Sequence, residues 1–435
     1  MRPFGSAKAL AVLLSILLPA ARPAAIPSFH RRSMPVIVDE RSSARGSSSS
    51  SSSSSSRTSS ASASASASPS ANSNPKSSGP TTEVQGGLTG VLMTLPDQIE
   101  DAGLKRIPDD QHPFIAPGPD DQRGPCPAMN VLANHGYIPR NGIATFEELT
   151  TGMMEGFNME VHFAAGLSAL NFVSRGNAFA NKISIGGESI LVPPLPGNID
   201  GNVTGGIAKT GRFEGDASMS RIDANLGDNK NFVQSKFNLN LLQLGKFGDD
   251  GPDGNNTVVN VKTLVAMEKT LFELDQKQNP KFEFPARRMF AAYGQTAFLM
   301  AVFANGTTNA TTLPILDAFF RNETFPENWF RAAVPITGGT NAKISSQIAA
   351  AIPTKPGRNN EKGEYVEDPE PPAPFNSSLP CAGYLDQAKS TPAVLQNTTG
   401  IFKKNVDFLT GILFAAAKVN PGCTQFAPPS GPANV

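Results

Sequence analysis

The sequence predicts a mainly α-helical domain with long loops, preceded by a disordered serine-rich segment. Three observations predict this architecture. Apolar residues recur at helical spacing in several runs beyond about Leu95, the alternation typical of strands is scarce, and 39 glycines and 37 prolines cluster between the runs. In a chain of 435 residues this pattern leaves residues 91–430 for one large core or two coupled ones.

Residues 1–25 have the pattern of a secretory signal peptide. Arg2 and Lys8 precede an apolar run at residues 9–18, and small residues follow it. The run is too short to span a bilayer, no later segment offers about 18 uncharged apolar residues, and the C-terminal tail lacks the apolar end of a GPI signal. We therefore expect a secreted, extracellular protein with no membrane span.

Seven Asn-x-Ser/Thr sequons agree with passage through the secretory route, so we expect N-glycans. The sequons begin at Asn202, Asn255, Asn305, Asn309, Asn322, Asn376 and Asn397.

Residues 26–90 are rich in Ser and Ala and include unbroken serine at 47–56. Such a composition cannot bury enough apolar surface to offset its chain entropy, so we expect a disordered linker. Two roles stay open for it. It is either an O-glycosylated stalk or a passive pro-segment.

Helical patterns follow in order along the domain. Pro127 and Gly136 suit the first turn and the end of a short helix, and Thr145 with Glu148 matches a capping box ahead of a run to about Val173. The later runs cover residues 231–242, 258–274, 287–303, 315–320, 327–333 and 401–417.

Composition excludes some classes of partner. Lys plus Arg and Asp plus Glu both number 37, so there is no basic excess to attract nucleic acid or an anionic membrane surface. Phenylalanine supplies most aromatic rings, 27 against four Tyr and one Trp. Phenylalanine rings carry no hydrogen-bonding group, which suits ordinary core packing for most of them and a small apolar ligand for the rest.

Three cysteines in a secreted chain leave one thiol after a single disulfide. Cys381 and Cys423 flank the 401–417 run, so a bridge between them would clip that helix to the body. Cys126 would then remain, at the start of the helix that Pro127 begins. The positive end of a helix favours a thiolate, which suits metal ligation. Taken alone, the triplet of Pro125, Cys126 and Pro127 fits an inert buried thiol, or a Cys126 that pairs with another cysteine, equally well.

Three longer sequence segments, taken in their order along the chain, favour metal ligation by Cys126 over the other two interpretations. PCPAMNVLANHGYIPRNG begins at Pro125, FEGDASMSR covers residues 213–221, and RMFAAYGQTAF covers residues 288–298. Together they resemble the secreted fungal haem-thiolate peroxygenases, also called aromatic or unspecific peroxygenases, of the chloroperoxidase-like haem haloperoxidase family. The C-terminal cysteine pair falls where that family has its disulfide. The resemblance spans about residues 95–428 and implies a single chloroperoxidase-like helical domain around a buried haem b.

The resemblance implies roles for the first two segments. Cys126 would be the axial thiolate of the haem iron, donating electron density that favours cleavage of the peroxide O–O bond. Glu214, the Gly215 carbonyl and the Ser218 hydroxyl would bind Mg²⁺ against a haem propionate. Hard oxygen ligands are what Mg²⁺ prefers.

The third segment departs from the family pattern. The longer family members pair an arginine with a glutamate seven residues later, whereas shorter relatives pair a histidine with their glutamate. The carboxylate takes a proton from hydrogen peroxide and returns it to the leaving oxygen. Arg288 matches the arginine, but the seventh position is Gln295. An amide cannot carry protons near neutral pH, and a positioned base contributes about 10² to 10⁴ in rate.

Three explanations of Gln295 stay open. The protein binds haem but reacts poorly with peroxide, or Gln295 orients peroxide while water carries the proton, or the base has moved to His162. His162 is a candidate because it follows Met159 on the helix that borders the distal pocket in the family.

The same resemblance places Phe213, Phe290 and Phe298 in the channel above the haem, where apolar walls suit aromatic or aliphatic substrates. Met159 and Gly166 occupy neighbouring channel positions and predict a roomier pocket. We expect slow oxidation of small apolar or aromatic molecules by hydrogen peroxide. The alternative is a haem-binding but catalytically degenerate glycoprotein with a structural or interaction role.

Overall fold

The structure, a computed structural model, describes residues 81–197, 204–211, 215–372, 378–389 and 391–418. Within these ranges it is mainly α-helical with small two- and three-stranded sheets, so the predicted fold class is confirmed. The helices are α1 (Pro127–His135), α2 (Phe146–Phe157), α3 (Val161–Arg175), α4 (Gln234–Phe247), α5 (Val261–Gln278), α6 (Ala286–Ala301), α7 (Leu313–Phe320), α8 (Gly338–Ala351), α9 (Leu379–Lys389) and α10 (Gly400–Lys418), with a 3₁₀ turn at Ala393–Leu395.

The strands pair only with antiparallel partners. They are β1 (Thr82–Gln85), β2 (Leu88–Val91), β3 (Ile143–Ala144), β4 (Ile183–Ser184), β5 (Asp249–Gly251), β6 (Gly254–Val258), β7 (Glu283–Phe284), β8 (Gly357–Asn359) and β9 (Tyr365–Glu367). Helix α6 packs against α5, α8 and α9, while α3 packs against α2 and α10.

The first helix boundaries match the prediction from sequence. Cys126 is the N-cap of α1, Pro127 begins it, and Gly136 ends it in the left-handed conformation at φ 76°. In α2, the Thr145 hydroxyl accepts from the Glu148 amide at 3.1 Å, and Glu148 Oε2 accepts from the Thr145 amide at 2.8 Å, which is the predicted capping box.

The predicted run from residue 145 to Val173 is two helices. Asn158 breaks it because its backbone adopts the left-handed conformation at φ 57°, and its side-chain amide donates to the carbonyls of Ala102 and Ala332. A buried asparagine that satisfies loop carbonyls in this way ends a helix despite continuous apolar spacing.

The helix predicted at residues 327–333 is wrong. These residues form a turn and an irregular segment in which Trp329 is fully buried and donates from Nε1 to the Phe303 carbonyl at 3.0 Å. Trp329 joins Phe157, Phe319 and Phe325 in a cluster of rings, with centroid distances of 5.3–6.1 Å. The apolar spacing of residues 327–333 therefore reflects insertion of Trp329 into this ring cluster rather than helix formation.

A hairpin of β1 and β2 occupies the last residues of the segment that we predicted to be disordered, 26–90. Gly86 and Gly87, both with positive φ, form its two-residue turn. The buried Asn405 of α10 donates to the Val91 carbonyl and accepts from the Met93 amide, each at 2.8 Å. This anchoring shows that order begins before residue 91. The predicted signal peptide and the remainder of the predicted linker lie outside the described residues.

The predicted disulfide stays a prediction, because Cys423 lies outside the described residues while Cys381 is buried in α9. We expect peptide mapping under non-reducing conditions to join Cys381 to Cys423. Closing a loop of this length should contribute on the order of 4 kcal/mol to the free energy of unfolding. Chemical denaturation of Cys381→Ser against the parent measures that loss. Recovery of Cys126 in a bridged peptide would contradict the pairing.

Candidate active site

A cavity of about 110 Å³ lies between α1, α2, α3 and α6. Most of its wall is apolar. The apolar lining includes Met129, Leu149, Met153, Leu167, Ile207, Met219, Phe298, Leu299, Phe303 and Phe320, and the polar lining includes Cys126, Asn171, Ser218, Ser220 and Gln295. Four predicted site residues therefore line one cavity: Cys126, Ser218, Gln295 and Phe298. Cys126 and Phe298 are more than 170 positions apart in the sequence.

The half-buried Cys126 thiol reaches this cavity from the N-cap of α1. Its backbone is extended, at φ −88° and ψ 107°, and Pro127 occupies the first helical position. The positive end of the helix therefore lies beside the sulfur, an arrangement that favours the thiolate.

Arg288 and Gln295 project from α6, and their side chains form a hydrogen bond with each other. Arg288 is 4% exposed, and its Nη1 donates to Gln295 Oε1 at 3.0 Å. Because Oε1 accepts this bond, the Gln295 amide NH₂ is the group left for a ligand in the cavity. That NH₂ donates hydrogen bonds but cannot accept a proton.

The guanidinium of Arg288 also holds the loop at residues 215–218. Its Nε donates to the Asp216 carbonyl at 2.7 Å, and a Cβ on Gly215 would lie 3.0 Å from Arg288 Cδ. Ala217 has φ 59°, a left-handed conformation unusual for alanine, and its amide donates to Asp223 Oδ1 at 3.2 Å. Burial and the neighbouring Asp223 raise the pKa of Asp216 to about 7. Hydrogen bonds to buried polar groups therefore hold the loop at residues 215–218 in place.

Among the described residues, four predicted site residues do not line the cavity: Arg288 and Gly215, whose contacts are given above, and Phe290 and His162. Phe290 is 44% exposed and lies next to Gly383 of α9. It follows Arg288 by two residues, a rotation of about 200° around the helix, so it faces away. His162 is exposed on α3. The next residue, Phe163, instead packs on Phe298 with ring centroids 6.2 Å apart.

The other predicted positions are distributed as follows. Met159 is buried between α2 and α3 without lining the cavity, and a Cβ on Gly166 would meet no atom within 4 Å, so the space beside Gly166 is open. Phe213 and Glu214 lie outside the described residues, and no cluster of three or more His, Cys, Asp or Glu suited to a metal occurs among those described.

Sequence reasoning missed two buried polar groups. Glu268 of α5 is 2% exposed and accepts a hydrogen bond from the Thr296 hydroxyl, and burial raises its pKa. It lies between Leu264 and Leu271 on the apolar face of α5, and a carboxyl at such a position was the available signal. Asn171 lines the cavity, and its buried Oδ1 has no hydrogen-bond partner among the described residues.

Comparison with known proteins agrees with this arrangement. Residues 112–334, just over half of the chain, match the family described as "Peroxidase, family 2". The chain is 33% identical over 340 residues to an aromatic peroxygenase of Cyclocybe aegerita, a match that covers 77% of this chain and 86% of that protein. The chain belongs to the family 2 peroxidases.

Other relatives align over shorter stretches. An aromatic peroxygenase of Coprinellus radians is 32% identical over 56% of this chain and 90% of its own length. A chloroperoxidase of Leptoxyphium fumago is 35% identical over 33% of this chain and 37% of its own length. The predicted resemblance and the chloroperoxidase-like helical fold are therefore confirmed.

Membership establishes the coarse function. The protein is an oxidoreductase of the peroxidase and peroxygenase type, and the family implies a haem cofactor. Among the described residues, no helix combines the length and the apolar character needed to cross a membrane.

Proposed function

We propose that this protein is a secreted haem-thiolate peroxygenase that uses hydrogen peroxide to oxidise small apolar or aromatic molecules slowly. The observation that carries the proposal is the convergence of Cys126, Gln295 and Phe298 on one mainly apolar cavity. A thiolate, a polar pair and apolar walls are the three parts that such a reaction needs.

The residues present fit a haem. Cys126 offers a sulfur at a helix N-terminus, and apolar side chains from five helices, α1, α2, α3, α6 and α7, line the cavity that it reaches. Held there by the Cys126 thiolate, a haem would supply the oxidising chemistry. Glu214, the Gly215 carbonyl and the Ser218 hydroxyl would hold Mg²⁺ beside it.

This chain's own residues then bind and orient the reactants. The Gln295 NH₂ donates to an oxygen of hydrogen peroxide, and Arg288 holds the amide in place through Oε1. No side chain of this pair accepts the peroxide proton, so water must carry it, which makes turnover slow. Phe298, supported by Phe163, offers an aromatic ring against which an apolar substrate can pack in the cavity.

Secretion and glycosylation are part of the proposal. Asn255, Asn309, Asn322 and Asn397 are exposed and can accept glycans, and Asn305 is half-buried. Asn202 and Asn376 lie outside the described residues. The signal pattern at residues 1–25 would direct the chain to the cell exterior, where a disulfide between Cys381 and Cys423 is stable.

The donor-only character of the Gln295 amide supports a second candidate function. In that alternative the protein binds haem but is catalytically degenerate, and it serves a structural or interaction role. The exposed position of His162 weighs against a relocated base.

Two measurements on the purified protein test the proposal. We expect a red-shifted Soret band in the reduced carbon monoxide complex, which reports thiolate ligation, and hydroxylation of toluene with label from ¹⁸O-hydrogen peroxide. The thiolate band without labelled product would support the degenerate alternative. A folded protein that takes up no haem would overturn both.

A further inference from the structure

Glu323 lies in a strained backbone conformation outside the cavity. It follows α7 and has φ 47°, in the left-handed region that residues other than glycine and asparagine rarely adopt. Such strain persists only where the surroundings hold the residue in place, and it accompanies function. Its contacts show what holds it.

One residue binds two successive turns of α1. The Glu323 carboxylate accepts from Asn130 Nδ2 at 2.8 Å, and its carbonyl accepts from Asn134 Nδ2 at 2.9 Å. Both asparagines are at most 2% exposed. The same carboxylate Oε1 also accepts from Nη2 of the fully buried Arg221 at 3.0 Å, so a buried charge pair is part of the arrangement.

The two side chains bound by this carboxylate converge on Gly124, two residues before Cys126. Asn130 donates to the Gly124 carbonyl at 2.9 Å and accepts from the Gly124 amide at 3.0 Å, and Arg221 Nη2 lies 3.3 Å from the same carbonyl. On the other side, a Cβ on Gly124 would lie 2.1 Å from the Ile185 carbonyl. The segment that leads into Cys126 is therefore held from both sides.

Arg221 extends the network to the second segment of the site. Its Nη1 donates to the Ser220 hydroxyl at 2.8 Å, and Ser220 lines the cavity. A single carboxylate thus connects the approach to Cys126 with the loop that carries Ser218. Loss of the carboxylate would remove one of the two hydrogen bonds that Asn130 Nδ2 donates and the ion pair between Glu323 and the buried Arg221.

We propose that Glu323 is a positioning residue for Cys126, which acts through Asn130, Arg221 and Gly124 to hold the sulfur in the orientation that haem ligation needs. The proposal rests on the proposed haem-thiolate function. It assigns the strain at Glu323 to a side-chain role rather than to the turn alone.

Glycine at position 323 separates these two roles, because it adopts the left-handed conformation without strain while removing the carboxylate. The matched control is Asn328→Gly in the same loop. Asn328 also has a positive φ, 55°, but its side chain is exposed and has no contact with Gly124. The conservative variant is Glu323→Gln, which keeps the size and part of the hydrogen bonding.

We expect Glu323→Gly to speed haem loss to excess apomyoglobin by about 10- to 100-fold, the usual effect of removing an outer partner of a metal ligand. Its reduced carbon monoxide complex should lose much of the red-shifted band. Asn328→Gly should match the parent, and Glu323→Gln should lie between. A folded Glu323→Gly protein with the parent's band and rate would overturn the proposal; if that variant does not fold, the same result for Glu323→Gln would.

Hydrogen exchange on the protein as purified gives a readout that does not depend on haem. We expect faster exchange in peptides covering residues 122–131 for Glu323→Gly, but not for Asn328→Gly. If the parent binds no haem but Glu323→Gly still speeds exchange at residues 122–131, the positioning role stands and the proposed function is excluded. If the parent binds haem through a thiolate and neither Glu323 variant changes the exchange or the spectrum, the proposed function stands and the positioning role is excluded.

Discussion

Replacing Gln295 by glutamate is expected to raise the rate of peroxide-dependent oxidation by about 10² to 10⁴, the usual contribution of a positioned base. Glutamate is nearly isosteric with glutamine, so Arg288 Nη1 can keep its bond to one oxygen. The other oxygen then occupies the place of the amide NH₂ and can accept the peroxide proton. The adjacent guanidinium favours the charged carboxylate.

Stopped-flow mixing of the haem-loaded variant with hydrogen peroxide measures this gain. Gln396 is exposed and does not line the cavity, so Gln396→Glu is the matched control for the added charge and should leave the rate unchanged. An unaltered rate in Gln295→Glu with full haem content, together with a collapse in His162→Ala, would show that the base lies elsewhere.

The largest loss is expected at Cys126. Cys126→Ala should weaken haem binding by more than about 100-fold, because even outer partners of a metal ligand contribute 10- to 100-fold. The red-shifted band of the reduced carbon monoxide complex should disappear with it. Haem content after size-exclusion chromatography and the carbon monoxide spectrum together measure both effects.

Cys126→Ser is the control that separates the ligand from the helix. Cys126 is the N-cap of α1, and serine is a better N-cap than cysteine, so this variant should keep the helix and the melting temperature of the parent. It should nevertheless lack the thiolate spectrum. A normal thiolate band in Cys126→Ser would exclude Cys126 as the axial ligand.

Elements with backbone-specific signals were predictable from the sequence. Proline at the start and glycine at the end define α1, and the Thr145 and Glu148 pair defines the start of α2. Helix α8 was missed because it has almost no apolar stripe: among its residues only Asn341 and Ile348 are buried. Such a helix is stabilised by its contacts with α6 and carries little local signal.

The candidate site likewise contains residues whose positions follow from local geometry and residues whose positions depend on distant contacts. Arg288 and Gln295 are seven residues apart on one helix, about two turns, so their shared direction follows from helix geometry. Phe290 was placed by resemblance alone, and the same geometry turns it outward. Glu323 was not predictable, because its role depends on Asn130 and Arg221, which lie 193 and 102 positions away.

The anchoring of the β1–β2 hairpin by Asn405 has a consequence for synthesis of the chain. Asn405 bonds Met93 across 312 positions, and Glu83 caps the start of α10 by accepting from the Ile401 amide at 2.7 Å across 318. The hairpin emerges from the ribosome among the earliest parts of the domain, whereas its anchor emerges near the end. Contacts of such separation form late in folding, since a long loop must close first. The nascent domain therefore exposes the β1–β2 hairpin and the face of α3 that α10 covers until translation is nearly complete, which makes this stage the one at which chaperone binding matters most.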